Sequence, residues 1–218
     1  RWRAWEDLLP KCEIPKGATY ESIIVPTVAT AQIDHFVPLL VERRRSLLLC
    51  GPTGTGKSAL LTQLLLRQLP STEYLPVIIG FSAQTSANMT QDQVDRRLER
   101  RRKGVYGPRP GMKCVVFVDD LNMPQVETYG AQPPIELLRQ FIDYSGWYDR
   151  KELVFRKLVD TQIIAAMGPP GGGRNNVTNR YLRHFSVVCA TPFDGETMSK
   201  FFGTLVAWLM KNEEIPDA

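Results

Sequence analysis

The sequence predicts an α/β fold in which a parallel sheet is covered by helices on both faces. Five apolar runs of strand length alternate with segments of helical composition, an alternation that is typical of parallel sheets. The run at 113–118 is apolar almost throughout, as expected of a strand buried on both faces. The chain has 218 residues, 43% hydrophobic and 23% charged, which is enough for one such domain.

The elements follow one another in a regular order. Strands are predicted at residues 46–50, 75–82, 113–118, 161–167 and 185–189. Helices are predicted at residues 31–44, 59–66, 91–103, 135–144 and 179–184. The strand at 75–82 is rich in β-branched residues, and Pro133-Pro134 suits the first turn of a helix. Gly and Pro break 104–111 into a loop, and 147–158 alternates as a hairpin or a short helix-strand insertion does.

One motif predicts nucleotide binding. Residues Gly51-Pro52-Thr53-Gly54-Thr55-Gly56-Lys57-Ser58 match G-x-x-x-x-G-K-[ST], between a predicted strand and a predicted helix. The glycines let the backbone wrap closely around an anion, and N–H groups at the helix start face the phosphates. Lys57 supplies a cation for the β- and γ-phosphates, and Ser58 supplies a hydroxyl ligand for Mg²⁺. The alternative is a glycine-rich turn, but the flanking strand and helix make a chance match rare.

Two carboxylates end the third predicted strand. Asp119 lies at the tip of a buried strand beside the phosphate loop, so we expect it to hold Mg²⁺ in the Walker B role. One further strand is expected between the phosphate-loop strand and the strand that ends in Asp119, as in motor-like and ring-forming ATPases. Asp120 stands where hydrolysing ATPases of this kind carry a Glu that activates water. Its carboxylate falls about 1 Å short, which can cost on the order of 10²-fold in rate. Asp120 as a turn cap is the alternative.

The net charge of +4 is unevenly distributed. The basic stripe between Asp92 and Lys113 comprises Arg96, Arg97, Arg100, Arg101, Arg102, Lys103, Arg109 and Lys113. Such a stripe could meet nucleic acid or an acidic protein surface. Apart from Tyr106 it lacks aromatic residues for base stacking. We therefore interpret it as a solvated helix followed by a mobile basic loop, and no nucleic-acid partner is expected.

The remaining composition narrows the class of protein. Cys12, Cys50, Cys114 and Cys189 show no C-x-x-C spacing and are predicted to be reduced, buried small hydrophobes of an intracellular protein. The two histidines are too few for a zinc site. No apolar stretch reaches the ~18 residues of a membrane span, so no membrane partner is expected. The amino terminus lacks a signal-peptide core and an initiator Met, so a fragment is expected.

The motifs above, taken with several further segments, resemble one family. The chain is similar to an AAA+ module of a dynein heavy chain, above all the third ring module of axonemal dyneins. The segments that carry the resemblance are 25–27, 51–58, 118–124, 129–140, 147–149 and 167–175. The last of them is most similar to single-headed inner-arm heavy chains. The resemblance implies the large AAA+ subdomain of a P-loop NTPase, with a five-stranded parallel sheet in the order 5-1-4-3-2. It also implies a lead-in at 1–45, an α/β core at 46–192 and the start of a truncated C-terminal helical lid at 193–218.

Further site residues follow from the resemblance alone. The segment that matches the adenine contact comprises Val25, Pro26 and Thr27. Gly168 falls at the end of the fourth strand, where AAA+ proteins usually carry a polar residue that senses the γ-phosphate. Asn175 and Asn176 are candidates to replace it. Arg180 matches the arginine that a subunit inserts into its neighbour's site, with Arg183 as second candidate. The alternative for both is a surface arginine that complements a helix dipole.

The resemblance also implies a function. The module would bind ATP or ADP with Mg²⁺ and regulate ATP-driven, minus-end-directed movement on microtubules in cilia and flagella. Because Asp120 and Gly168 both depart from the family pattern, we expect slow hydrolysis at this site, and enzyme activity of this module stays open. The alternatives are a fully active AAA+ ATPase that remodels a protein partner and a structural, nucleotide-bound ring spacer.

The implied partners are those of a motor ring. They are the neighbouring AAA+ modules of the same heavy chain, the microtubule through a stalk outside this chain, and the intermediate and light chains. The implied locations are the cytoplasm, the cytoskeleton and the axoneme of the cilium or flagellum.

Overall fold

Nine strands and six α-helices make up the described chain. The structure is a computed structural model, and it describes residues 3–10, 12, 14–15 and 23–212, with side chains as far as 210. The strands are β1 (Leu47–Cys50), β2 (Tyr74–Gly80), β3 (Glu99–Arg102), β4 (Val105–Gly107), β5 (Lys113–Asp119), β6 (Gly146–Tyr148), β7 (Phe155–Leu158), β8 (Thr161–Met167) and β9 (Ser186–Cys189). The helices are α1 (Val28–Glu42), α2 (Lys57–Gln63), α3 (Ala87–Asp95), α4 (Pro133–Tyr144), α5 (Asn179–Leu182) and α6 (Gly195–Asn212). A 3-10 turn spans Glu6–Leu8, and a π-helical turn, Leu64–Gln68, continues α2.

The central sheet has five strands in the order β2-β5-β8-β1-β9. Every neighbouring pair is parallel. Counted as core strands this order is 2-3-4-1-5, which is the expected 5-1-4-3-2 taken from the other edge. β8 therefore lies between β1 and β5, as the sequence predicted, and the carboxyl ends of all five strands meet at one edge.

Both faces of this sheet are buried under helices. Along β1 successive side chains point to opposite faces, so Leu48 packs in one hydrophobic cluster and Leu47 and Leu49 pack in the other. The first cluster contains residues of α3 and α4, and the second contains residues of α1 and α2. The predicted class, a parallel sheet between two helical layers, is confirmed.

α1 begins three residues before its predicted start because Thr27 caps it. The N–H of Thr30 donates to Oγ1 of Thr27 at 3.3 Å, and the N–H of Thr27 donates to Oγ1 of Thr30 at 2.8 Å. This reciprocal pair satisfies two N–H groups at the helix start. The predicted adenine segment therefore ends at a helix cap.

A second, four-stranded sheet was not predicted, and its order is β3-β4-β7-β6. The predicted helix at 91–103 is right only for 91–95, since α3 spans Ala87–Asp95 and the arginine-rich stretch after it contains β3. The predicted loop at 104–111 is likewise wrong in part, because it contains β4. Gly104, with φ of +73°, permits the tight turn between them. The hairpin predicted within 147–158 is confirmed, because β6 and β7 pair antiparallel.

Packing against the second sheet fixes the end of α3. Ser86 caps the start of α3 by accepting the N–H of Met89 at 3.2 Å. The helix therefore begins at Ala87, four residues before its predicted start. Beyond α3, the buried Trp147 donates its Nε1–H to Asp95 at 3.1 Å. Arg101 donates to the carbonyl of Pro108 at 2.7 Å and pairs with Asp160. The basic stripe is thus a helix end and a β-hairpin, and the predicted mobile loop is corrected.

Only one cysteine fits the prediction of a buried hydrophobe. Cys114 is fully buried in β5, Cys50 is partly buried, and Cys12 and Cys189 are exposed. Cys189 is exposed because β9 is an edge strand of the sheet. All four thiols are free. Among the described residues, no helix has the length and apolar character to cross a membrane.

Candidate functional site

The phosphate loop joins β1 to α2 at the carboxyl edge of the sheet. A Cβ at Gly51 would lie 2.3 Å from the carbonyl oxygen of Ala190, so only glycine allows this approach to the end of β9. Gly54 and Gly56 have φ of +84° and +75°, in the left-handed region that favours glycine. Gly56 is the N-cap of the helix that starts at Lys57. The first N–H groups of a helix have no partner within it, which leaves them available to an anion.

Lys57 folds back over this loop. Its Nζ donates to the carbonyl of Pro52 at 2.6 Å and to Oγ1 of Thr55 at 3.2 Å, and the Thr55 hydroxyl also donates to Pro52. Burial, foremost, and the nearby positive charge of Arg174 lower the pKa of Lys57 below its ordinary value of 10.5. Cys50, Asp119 and Asp120 act to raise the pKa of Lys57 but do not offset this lowering. The side chains of Lys57 and Arg174 therefore place two positive charges close together at the phosphate loop, an arrangement that suits a polyphosphate.

The two predicted carboxylates lie at the same sheet edge. Asp119 ends β5 and accepts the N–H of Asp120 at 3.0 Å. Asp120 has φ of +51°, a conformation that Asp adopts more readily than most residues, and its carbonyl accepts the N–H of Met123 at 2.9 Å. Asp120 thus starts a tight turn, and its side chain is half exposed. Its carboxylate lies 3.8 Å from Nη2 of Arg174.

The predicted adenine segment is only partly at a pocket. Val25 is buried, and Thr27 lines a cavity of about 520 Å³. The other lining residues are Glu6, Leu9, Val28, Ala29, Gln32, Thr191, Pro192, Phe193, Asp194, Glu196, Thr197 and Lys200. Its lining includes the stretch that begins one residue after Ala190, the residue that packs against Gly51, but no residue of the phosphate loop itself. A smaller pocket of about 210 Å³ near Asp160 contains none of the predicted site residues.

Two residues that the sequence analysis left without a role, Asn122 and Arg174, meet at the end of β8. Arg174 lies over Gly168, so that a Cβ there would be 2.7 Å from its Nε. Its Nη1 donates to Oγ1 of Thr53 at 3.2 Å, and its Nη2 lies 3.8 Å from Asp120. Asn122 is fully buried and donates to the carbonyl of Gly168 at 2.9 Å. The only local signal for this arrangement was the glycine triplet before Arg174.

Neither predicted asparagine reaches the phosphate loop in the described structure. The side chain of Asn175 donates to the carbonyl of Pro124 at 2.8 Å, and its N–H donates to the carbonyl of Asn122 at 2.9 Å. Asn176 is exposed. Asn175 instead ties the loop after β8 to the turn after β5.

The two candidate arginines, Arg180 in α5 and Arg183 at its C-cap, differ in their surroundings. Arg183 pairs with Asp143 at 3.2 Å, and the same carboxylate contacts His184 at 3.0 Å. Arg180 is exposed, and within the described ranges it makes no ion pair. Of the two, Arg180 is the arginine whose guanidinium is not held by an ion pair within the described residues.

The two candidate metal ligands are of the chemical kind that Mg²⁺ takes when phosphate and water supply the rest of its shell. In the part of the chain that the structure describes, no group of three or more His, Cys, Asp or Glu residues could hold a metal ion. The hydroxyl of Ser58 and the carboxylate of Asp119 are hard oxygen donors. Mg²⁺ commonly takes one or two such ligands from the protein and the rest from phosphates and water.

Comparisons with known proteins point to one family. Residues 12–193 match the family described as P-loop containing dynein motor region. The chain is 48% identical over 209 residues to Dynein axonemal heavy chain 3 of Homo sapiens, which covers 95% of this chain and 5% of that protein. It is 47% identical over 215 residues to Dynein axonemal heavy chain 12 of Rattus norvegicus, covering 98% and 7%. It is 47% identical over 210 residues to Dynein axonemal heavy chain 1 of Homo sapiens, covering 95% and 5%. The chain thus spans 5% to 7% of the length of these relatives.

Proposed function

This chain belongs to the family of P-loop-containing dynein motor regions, and we propose on that basis that it is a nucleotide-binding AAA+ module of an axonemal dynein heavy chain. Its identity with axonemal heavy chains over nearly its whole length supports the proposal. Within the heavy chain we assign it to the third ring module, from the segments 118–124 and 167–175. We assign it a lead-in at 1–45, a core at 46–192 and the start of the lid at 193–218.

The observation that carries nucleotide binding is the backbone of the phosphate loop. The left-handed Gly54 and Gly56 turn the loop, and Lys57 supplies the cation at its end. Ser58 and Asp119 would hold Mg²⁺, and the cavity at Thr27 would accept the adenine. When bound, ATP with Mg²⁺ supplies the phosphoanhydride bond on which hydrolysis depends.

We propose slow hydrolysis and a regulatory role. Asp120 carries its carboxylate on a short stem, and Gly168 has no side chain with which to position water. The site therefore acts through its occupancy, since a nucleotide shifts the ring only by its different affinity for two ring states. In this proposal it regulates microtubule movement in cilia and flagella, beside neighbouring AAA+ modules and with the intermediate and light chains.

The test replaces the loop cation in the complete heavy-chain motor. The phosphate-loop lysines of the other ring modules are changed to alanine, so that this site is the remaining nucleotide binder. Calorimetric titration with ADP and Mg²⁺ should then show binding that Lys57→Ala abolishes. Lys113→Ala is the matched control, because Lys113 begins β5 at the opposite edge of the sheet. Undiminished affinity in Lys57→Ala would refute nucleotide binding at this loop.

A further inference from the structure

The Arg174 side chain occupies the space that a side chain at position 168 would need. Gly168 is buried at the end of β8, directly beside the phosphate loop, because Met167 accepts the N–H of Gly51 at 3.2 Å. A Cβ at Gly168 would lie 2.7 Å from Nε, 2.8 Å from Cδ and 3.0 Å from Cζ of Arg174. A side chain at 168 and this position of the guanidinium therefore exclude each other. Glycine at this position makes room for an arginine.

The backbone holds Arg174 in place from both sides. On one side, Gly171 and Arg174 exchange backbone hydrogen bonds at 3.0 and 3.1 Å, closing a turn through glycines with positive φ. On the other side, Asn175 is bonded to the carbonyls of Asn122 and Pro124. Arg174 thus projects from an anchored turn, and its guanidinium is positioned before any ligand binds.

The guanidinium of Arg174 has few contacts within the protein, which leaves N–H donors available to an anion. It donates to Thr53 on the phosphate loop, and its contact with Asp120 is long, at 3.8 Å. Its Nε is buried and has no hydrogen-bond partner among the described residues. That N–H faces Gly168, so an anion would be met by the Nη1 and Nη2 groups at the end of the side chain. The guanidinium's fork of donors matches the oxygens of a phosphate.

We infer that Arg174 binds the terminal phosphate of a nucleoside triphosphate, in the place of a polar side chain at position 168. The inference rests on the proposed nucleotide site and adds how that site distinguishes ATP from ADP. Arg174 reaches both the loop, at Thr53, and the carboxylate of Asp120, so one cation lies between the phosphates and the residue at the water-activating position. With ADP, Arg174 keeps its contact with Asp120, and with ATP it exchanges that contact for phosphate.

The experiment compares two affinities in the complete motor with the other ring sites silenced. Titration with ADP and with a non-hydrolysable ATP analogue should show tighter binding of the analogue. Arg174→Ala should reduce that preference on the order of 10-fold to 100-fold and leave ADP affinity nearly unchanged, since a hydrogen bond to a charged group is lost. Gly168→Ala should do the same by displacing the guanidinium. Asn176→Ala, an exposed change in the same loop, is the control and should leave both affinities unchanged.

A rescue variant separates phosphate binding from a general loss of charge. In the Arg174→Ala background, Gly168→Asn should restore the preference, because an amide then occupies the space of the guanidinium. An equal loss of both affinities in Arg174→Ala, or an unchanged preference, overturns the assignment of Arg174. Absence of any nucleotide binding to the unmodified motor instead overturns the proposed function itself, and the inference with it.

Discussion

The side chain of Asn122 donates to the carbonyl of Gly168 at 2.9 Å, which ties the turn after β5 to the end of β8. The two carboxylates of the site, Asp119 and Asp120, lie three and two residues before Asn122, and Arg174 lies over Gly168. The relative position of the Asp pair and the arginine therefore depends on this buried bond. Asn175 adds a second tie between the same two segments.

Asn122→Ala should loosen this tie without unfolding the sheet. The buried carbonyl of Gly168 would lose its partner, so we expect the local opening free energy to fall by about 1–3 kcal/mol. Hydrogen exchange in the complete motor measures this at the amides of Leu121 and Asn175, which are bonded to Ala166 and Asn122. Their exchange should accelerate, while the amides of β1 stay protected. Asn176→Ala is the control, and equal exchange in the two variants would contradict a structural role for Asn122.

Asp120→Glu should raise the hydrolysis rate at this site. The longer stem moves the carboxylate about 1 Å outward, and a misplacement of that size can cost on the order of 10²-fold in rate. The left-handed backbone at 120 opposes the change, since Glu adopts positive φ less readily than Asp. Single-turnover hydrolysis in the motor with the other sites silenced gives the rate. Asp120→Asn should bind nucleotide but lose the residual hydrolysis, and a Glu variant no faster than the unmodified protein would show that stem length is not the limit.

The predicted strands and the phosphate loop were accessible to sequence analysis because their signals are local. A strand buried on both faces must be apolar over its whole length, as in β5, where Cys114 to Val118 are fully buried. The loop is likewise a continuous segment whose residue types meet an anion directly. Neither prediction needed knowledge of a distant contact.

The features that were missed depend on contacts between distant segments. β3 is a run of Glu and Arg with no strand pattern, and its structure follows from pairing with β4, which in turn pairs with β7 about 50 residues later. The bond from Arg174 to Thr53 joins residues 121 positions apart. Residue types alone could show that Gly168 lacks a side chain, but only the fold shows what occupies its place.

Replacing Arg174 by Met should shift the pH dependence of nucleotide binding. Burial foremost, and then Arg174, lower the pKa of Lys57 in the protein, and phosphates favour the charged amine. Affinity for ADP should therefore fall as pH rises through that lowered pKa, because the deprotonated amine must regain a proton. Without the arginine charge the pKa of Lys57 rises, so the fall in ADP affinity should occur at higher pH.

Titrations with ADP at pH values up to lysine's ordinary pKa of 10.5 measure the midpoint of this fall in affinity. Arg96→Met, an exposed arginine on α3's end, should leave the midpoint in place, and the same midpoint in both variants would contradict the coupling.

Arg180→Ala should slow hydrolysis at the neighbouring ring site and spare nucleotide binding at this one. Arg180 is exposed, whereas Arg183, the C-cap of the same helix, is held by Asp143. An arginine supplied to a neighbour's phosphates can contribute on the order of 10³-fold or more in rate. The measurement is turnover by an assembled motor in which only the neighbouring site hydrolyses ATP. Arg183→Ala is the matched control and should leave that turnover nearly unchanged, since its guanidinium is bound within its own module. A larger loss in Arg183→Ala than in Arg180→Ala would exchange the two roles, because it would mean that the ion pair with Asp143 opens in the ring.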